Sequence, residues 1–135
     1  MPRPPEFEKS FLPGTETVIE AAGPRPPFKV VFEDDGESGS FYALDLSLPE
    51  EQQIVDWLGV YDVGLLPVPV KPQFVRIQWS PEGGKAALFV NGRASAVFDF
   101  DHQKGYSRAP SPMPATSPWP RSEQLWDDRA MSGID

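Results

Sequence analysis

Two acidic clusters hold the side chains of this chain that could do chemistry. The first is Asp99, Asp101 and His102, which contains the only histidine of the sequence. A carboxylate that holds one imidazole nitrogen leaves the other free to act as a general base. Adjacent residues at a strand end point to opposite sides. Asp99 is therefore the better orienting partner for His102, and Asp101 the poorer one. With one histidine and no cysteine, a zinc site built from His or Cys ligands is excluded. The bland alternative is a surface histidine at a strand end. The second cluster is Glu33, Asp34, Asp35 and Glu37, four carboxylates packed into positions 33–37. Hard divalent cations favour several oxygen ligands. The spacing lacks the alternation and the terminal bidentate Glu of a calcium loop, however. Asp-Asp-Gly is better read as a solvated β-turn in which Asp bonds its own backbone. We expect no metal and no cofactor. The two clusters could serve one reaction or one small ligand only if the fold brings them to the same end of a sheet.

No Gly-x-Ser-x-Gly elbow, Walker loop or Gly-x-Gly-x-x-Gly occurs. Ser80 falls in a turn and Ser95 in a strand, and neither has the context of a nucleophile. Tyr106, Trp119 and Trp126 are candidates of another kind. A half-buried Tyr is a common interface anchor. A Trp in a polar tail gains most by docking on a surface.

The elements that must position these residues follow from periodicity. Residues 1–14 are broken by Pro2, Pro4, Pro5, Pro13 and Gly14 and read as an irregular arm. Residues 15–21 form a plausible first strand. Phe28 to Glu33 alternates cleanly, with Phe28, Val30 and Phe32 on one face. The turn at 34–39 returns the chain along Ser40 to Leu46, which completes a hairpin. Ser47-Leu48-Pro49-Glu50 has the form of a capping box. Ile54, Val55, Trp57 and Leu58 follow at helical spacing, and Gly59 is a suitable stop. The pattern predicts one helix over 48–58. A short edge strand is expected near 60–66. Phe74 to Trp79, Lys85 to Val90 and Arg93 to Phe100 read as a three-stranded meander, whose second turn is Asn91-Gly92. Phe28, Phe32, Trp57, Trp79, Phe98 and Phe100 are expected in the core. From residue 109 the chain becomes a proline-rich tail carrying Trp119 and Trp126. The expected architecture is α+β, an antiparallel sheet of five to seven strands with one short helix packed on it. The arm is 1–14, the domain 15–108 and the tail 109–135.

Composition narrows the function classes. Twelve basic against twenty acidic residues give a net charge of −8. Nucleic-acid backbones and anionic lipid both demand a basic face, so neither partner is expected. The N-terminal stretch has no apolar core of a signal peptide. No run of about 18 or more apolar residues exists to span a membrane. A cytoplasmic location is expected. An acidic chain without a catalytic set suits a non-catalytic binding protein, inhibitor- or immunity-like, directed at a basic protein. The alternative is a small-ligand binder or an enzyme that joins the 33–37 turn to the 99–102 strand end.

Several stretches together resemble a known family. They are Val31-Phe32-Glu33-Asp34-Asp35-Gly36, Gly39, Phe41-Tyr42-Ala43-Leu44-Asp45, Trp79-Ser80, Gly84-Lys85-Ala86, Asn91-Gly92, Ala96-Val97-Phe98-Asp99-Phe100 and Gly105-Tyr106. In these the chain resembles the bacterial domain-of-unknown-function family 2251, over about residues 10–108. The resemblance implies a small bacterial cytosolic protein. It carries over no catalytic or binding residue.

Overall fold

The structure is a computed structural model that describes residues 7–108, 119 and 126–134. Its strands are β1 (Glu8–Phe11), β2 (Thr17–Ala22), β3 (Phe28–Asp34), β4 (Ser38–Asp45), β5 (Ile54–Asp62), β6 (Gln73–Trp79), β7 (Lys85–Val90), β8 (Arg93–Asp99) and β9 (Lys104–Ser107). All neighbours pair antiparallel. One sheet has the order β1-β6-β7-β8-β9, the other β2-β3-β4-β5. Alternation drives this arrangement. Val30, Phe32, Phe41 and Ala43 of one sheet are fully buried, as are Val75, Ile77, Leu88, Ala96 and Phe98 of the other. They form one core between the two sheets. The Phe41 and Phe98 rings stack across it at 5.0 Å. Along one side of the sandwich the Ser107 hydroxyl of β9 donates to the Gly59 carbonyl of β5 at 2.7 Å.

The expected α+β fold is not what forms: the described residues are mostly β, in two packed sheets. The helix expected over 48–58 is replaced by a 3-10 turn at Glu50–Gln52 followed directly by β5. Two local causes are visible. Ser47 does not cap a helix. Its hydroxyl and its backbone N–H both donate to Asp45 Oδ1, at 2.6 and 3.0 Å. The segment also finds a strand partner, with Leu58 opposite Phe41 and Trp57 opposite Tyr42. The register shifts at Ala43/Leu44, so that Ala43 faces Asp56 and Leu44 faces Ile54. Val55 is the extra residue of that bulge and is buried together with Asp56 and Leu58. A bulge turns two successive side chains to unusual faces. The i, i+3 pair Val55 and Leu58 therefore mimics a helical stripe. So short a helix without packing is marginal on its own.

Other elements also shift. The segment from Val60 continues β5 to Asp62 and ends in a 3-10 turn at Val63–Leu65. The meander forms as β6-β7-β8, and Asn91 and Gly92 both adopt positive φ, 52° and 82°, as a type I′ turn requires. The meander gains β9 at one side and β1 at the other. Thus Glu8–Phe11, inside the stretch expected as an arm, is a strand. Trp57 is not in the core. It stacks on Tyr42 at 6.1 Å on the outer face of the four-stranded sheet.

In the tail, Trp119 is 5% exposed and meets Phe98 and Phe100 edge-on at 5.9 and 5.3 Å. Residues 126–134 lie on the outer face of the five-stranded sheet. There Ala130 and Ile134 pack with Ala87 and Val97. The proline run at 110–114 is outside the described residues. Among the described residues no helix is long and apolar enough to cross a membrane.

Candidate functional site

The Asp99–His102 cluster sits at the end of β8, on the outer face of the five-stranded sheet. Pairing register builds it. Lys85 of β7 lies opposite Asp99, and Asp99 lies opposite Lys104 of β9. Side chains in register share a face, so a carboxylate stands between two lysines. The next row is Ala87, Val97 and Tyr106. Asp99 is mostly buried and is fully engaged by His102: Oδ1 accepts the backbone N–H at 3.1 Å and Oδ2 lies 2.8 Å from Nδ1. Asp101 turns away and pairs with Arg25 at 2.6 Å. Asp99, not Asp101, is therefore the residue that orients the imidazole.

The C-terminal segment supplies the second wall. Lys85 Nζ donates to the carbonyls of Ala130 and Ser132, each at 3.1 Å, and Gln78 Nε2 donates to that of Ile134 at 2.8 Å. Asp127 caps the turn at Asp128–Met131 by accepting the Arg129 N–H, and its carboxylate also pairs with the Arg129 guanidinium at 2.9 Å. That pair holds the Asp127 carboxyl below its usual range, through the side-chain bond from Arg129 first and the backbone bond second. Trp126 lies under the Arg108 guanidinium at 4.2 Å. Between the walls is an open cleft of about 340 Å³ lined by Lys85, Asp99, His102, Lys104, Tyr106, Asp127, Arg129 and Ala130. Three of the sequence candidates, Asp99, His102 and Tyr106, meet here. Lys85, Lys104 and Arg129 were not legible, because nothing but strand register and tail docking brings them together.

The acidic turn is an internal knot. Asp34 is only 1% exposed. Its Oδ2 accepts the Gly14 N–H at 2.9 Å and the Tyr61 hydroxyl at 2.6 Å, and its Oδ1 accepts the Gly36 N–H at 2.8 Å. Burial, and then the bond to Asp34, push the Tyr61 hydroxyl well above the ordinary phenol range. Asp35 Oδ1 accepts from Ser38 and Glu37 backbone N–H groups at 3.0 and 2.9 Å, which lowers its carboxyl. Glu33 accepts the Tyr42 hydroxyl at 3.3 Å. Asp34 thus ties the turn, the loop at Gly14 and β5 together, and Asp35 bonds within the turn itself.

The two clusters do not share an end. Phe100, just after β8, stacks on Phe28 at the start of β3, with ring centroids 4.7 Å apart. The acidic turn follows Asp34 at the other end of that strand. At about 3.3 Å per residue, β3 separates them by roughly 20 Å. A single site using both has no geometry to support it.

One group escaped the sequence reading. Asp56 is 1% exposed and faces the seam between β5 and β9. Its Oδ1 accepts the Trp57 N–H at 2.8 Å. A Cβ on Gly105 would stand 2.6 Å from Oδ2, so only glycine fits against it. Burial pushes the Asp56 carboxyl up from 3.8 to about 6, against the Trp57 bond that lowers it. The signal was an acid inside the apolar run Ile54–Leu58. Because the folded value is raised, the neutral acid is favoured by folding. Its stabilisation is present below pH 4 and is lost as pH rises through about 6. The shift corresponds to roughly 3 kcal/mol at 1.36 kcal/mol per unit. The stability of Asp56→Asn relative to the parent should therefore be about 2 kcal/mol more favourable at pH 7 than at pH 4, read by urea unfolding at both values. An equal difference at both pH values would show that folding does not raise the Asp56 carboxyl.

The matching family model, described as "Uncharacterized protein conserved in bacteria (DUF2251)", covers residues 11–135. The chain belongs to the DUF2251 family. The DUF2251 match reaches past the residues that carry the resemblance in sequence and takes in Trp119 and the 126–134 segment. A Haemophilus influenzae relative, described as an "Uncharacterized protein", is 43% identical over 97 residues. That stretch is 71% of this chain and 60% of the relative, so the chain spans about three fifths of that protein's length. No solved structure matches the chain.

Proposed function

We propose that this DUF2251 chain is a non-catalytic binding protein that docks, inhibitor-like, onto a basic protein partner. The observation that carries the proposal lies at the end of the sandwich holding the acidic turn. The loop after β5 presents Leu65 and Val68, which are 84% and 85% exposed. Pro67, Pro69 and Pro72 limit the freedom of this loop. Its base is tied to the turn by a bond from the Val63 N–H to the Glu37 carbonyl at 2.8 Å. Apolar side chains held out on a stiff loop lose little entropy on docking. Asp35, Glu37 and Asp62 stand on the same tied loops, and Asp62 caps the turn that carries Leu65. An apolar anchor with an acidic rim is complementary to a partner that offers an apolar pocket with basic surroundings.

The test uses tagged full-length protein in lysate of its native host, compared with Leu65→Asp/Val68→Asp. The parent should retain one stoichiometric basic protein, released by raised salt. The double variant should bind it at least about tenfold more weakly, since burying two such side chains is worth about 1–2 kcal/mol each. A basic partner that binds both forms equally, or no partner at all, refutes the proposal.

A further inference from the structure

We infer that the cleft between β9 and the C-terminal segment is a binding site for a phosphate group. In a chain of net charge −8, this cleft gathers Lys85, Lys104 and Arg129 against two carboxylates. Both carboxylates are committed. Asp99 spends its two oxygens on His102. Asp127 spends its own on the Arg129 backbone N–H, Nε and Nη2. What is left facing the cleft is cationic or a donor. No described side chain or carbonyl is bonded to the Lys104 ammonium, and the Arg129 guanidinium keeps Nη1 outside its pair with Asp127. Tyr106 lines the same cleft and adds a phenol hydroxyl to it. Lys85 and Lys104 flank Asp99 in register, so their positions are set by the sheet. The opposite wall is fixed by the Lys85 bonds to Ala130 and Ser132 and by Ile134 packed in the sheet's outer face.

Donors of three kinds around one open hollow suit a tetrahedral oxyanion. An ammonium serves as a point charge, and a guanidinium edge and a phenol are directional. A planar carboxylate would use fewer of them. The Asp99 contact presents the His102 ring in one orientation at the rim. The chain's net charge of −8 would repel polyanions, which confines the site to a small phosphorylated molecule or free phosphate.

The experiment is an NMR titration of the full chain with inorganic phosphate at constant ionic strength. We expect saturable shifts confined to the amides of 99–106 and 127–132 and to the Tyr106 ring. Lys104→Glu should weaken binding about tenfold or more by reversing a charge at the site, and Arg129→Gln a few-fold. Both side chains are exposed, so circular dichroism should show both variants folded. A phosphomonoester tested beside free phosphate separates the two sources: tighter binding of the ester identifies a metabolite site, and equal binding a site for free phosphate. Shifts that rise linearly, that chloride reproduces, or that Lys104→Glu leaves unchanged overturn the assignment. Equal saturation by acetate overturns the choice of phosphate.

Discussion

Asp34→Ala should lower the unfolding free energy by about 3–5 kcal/mol, because it strips a buried carboxylate from three donors at once. The Gly14 and Gly36 backbone N–H groups and the Tyr61 hydroxyl all point at this one side chain. Each would be left without its acceptor in a place that water reaches poorly. The loss is structural as well as energetic, since the three donors sit on three different segments. Asp34→Asn keeps an acceptor oxygen but replaces the other with an N–H₂ that faces donors, and should fall between the parent and Ala. Urea unfolding with matched slopes gives the comparison. A loss below about 1 kcal/mol for Asp34→Ala would mean that water replaces the carboxylate, against the buried geometry. Loosening this knot should also free the loop bearing Leu65, because Tyr61 and Val63 lead into it.

Trp119→Ala should cost about 3–5 kcal/mol, the range for a large aromatic removed from a core. The indole fills space over Phe98 and Phe100 and belongs to the same buried cluster as Phe32 and Phe41. Its removal leaves a cavity that these stacked rings cannot close without breaking the Phe41–Phe98 contact. Position 119 lies in a proline-rich stretch that, by composition, reads as a tail. Thermal and chemical unfolding of the full chain decide it. If the variant is as stable as the parent, the ring contributes nothing to the core and the stretch is an appendage.

The chemistry of the two acidic clusters was legible unevenly. For the 33–37 turn, residue types alone favoured Asp bonding its own backbone, and Asp35 does so. They did not show that Asp34 turns inward, because its partners Gly14 and Tyr61 are 20 and 27 positions away. For 99–102, strand geometry favoured Asp99 over Asp101 as partner of His102. The cations around that pair come from Lys85 and Arg129, on separate elements of the chain. No local pattern joins them.

The helix expected over 48–58 gives way to β5 for the same reason. Ser47, Pro49 and Glu50 supply a local helix start, and Val55 and Leu58 a local helical stripe. The helix was rejected because β4 offers a ladder of hydrogen bonds and places for Leu58 and Trp57 that a short isolated helix lacks.

What the sequence by itself determined is what depends on near neighbours. Alternation at 28–33 and 74–79 and the turn-forming pair Asn91-Gly92 specify strands and a turn, because side-chain direction and backbone sterics are local. Only the tertiary structure decided the second sheet from β2 to β5, the bulge at Val55, the burial of Asp34, Asp56 and Trp119, and the cleft at Lys104. Each of these depends on which strand lies beside which and in what register, and that is set by burying both sheet faces at once.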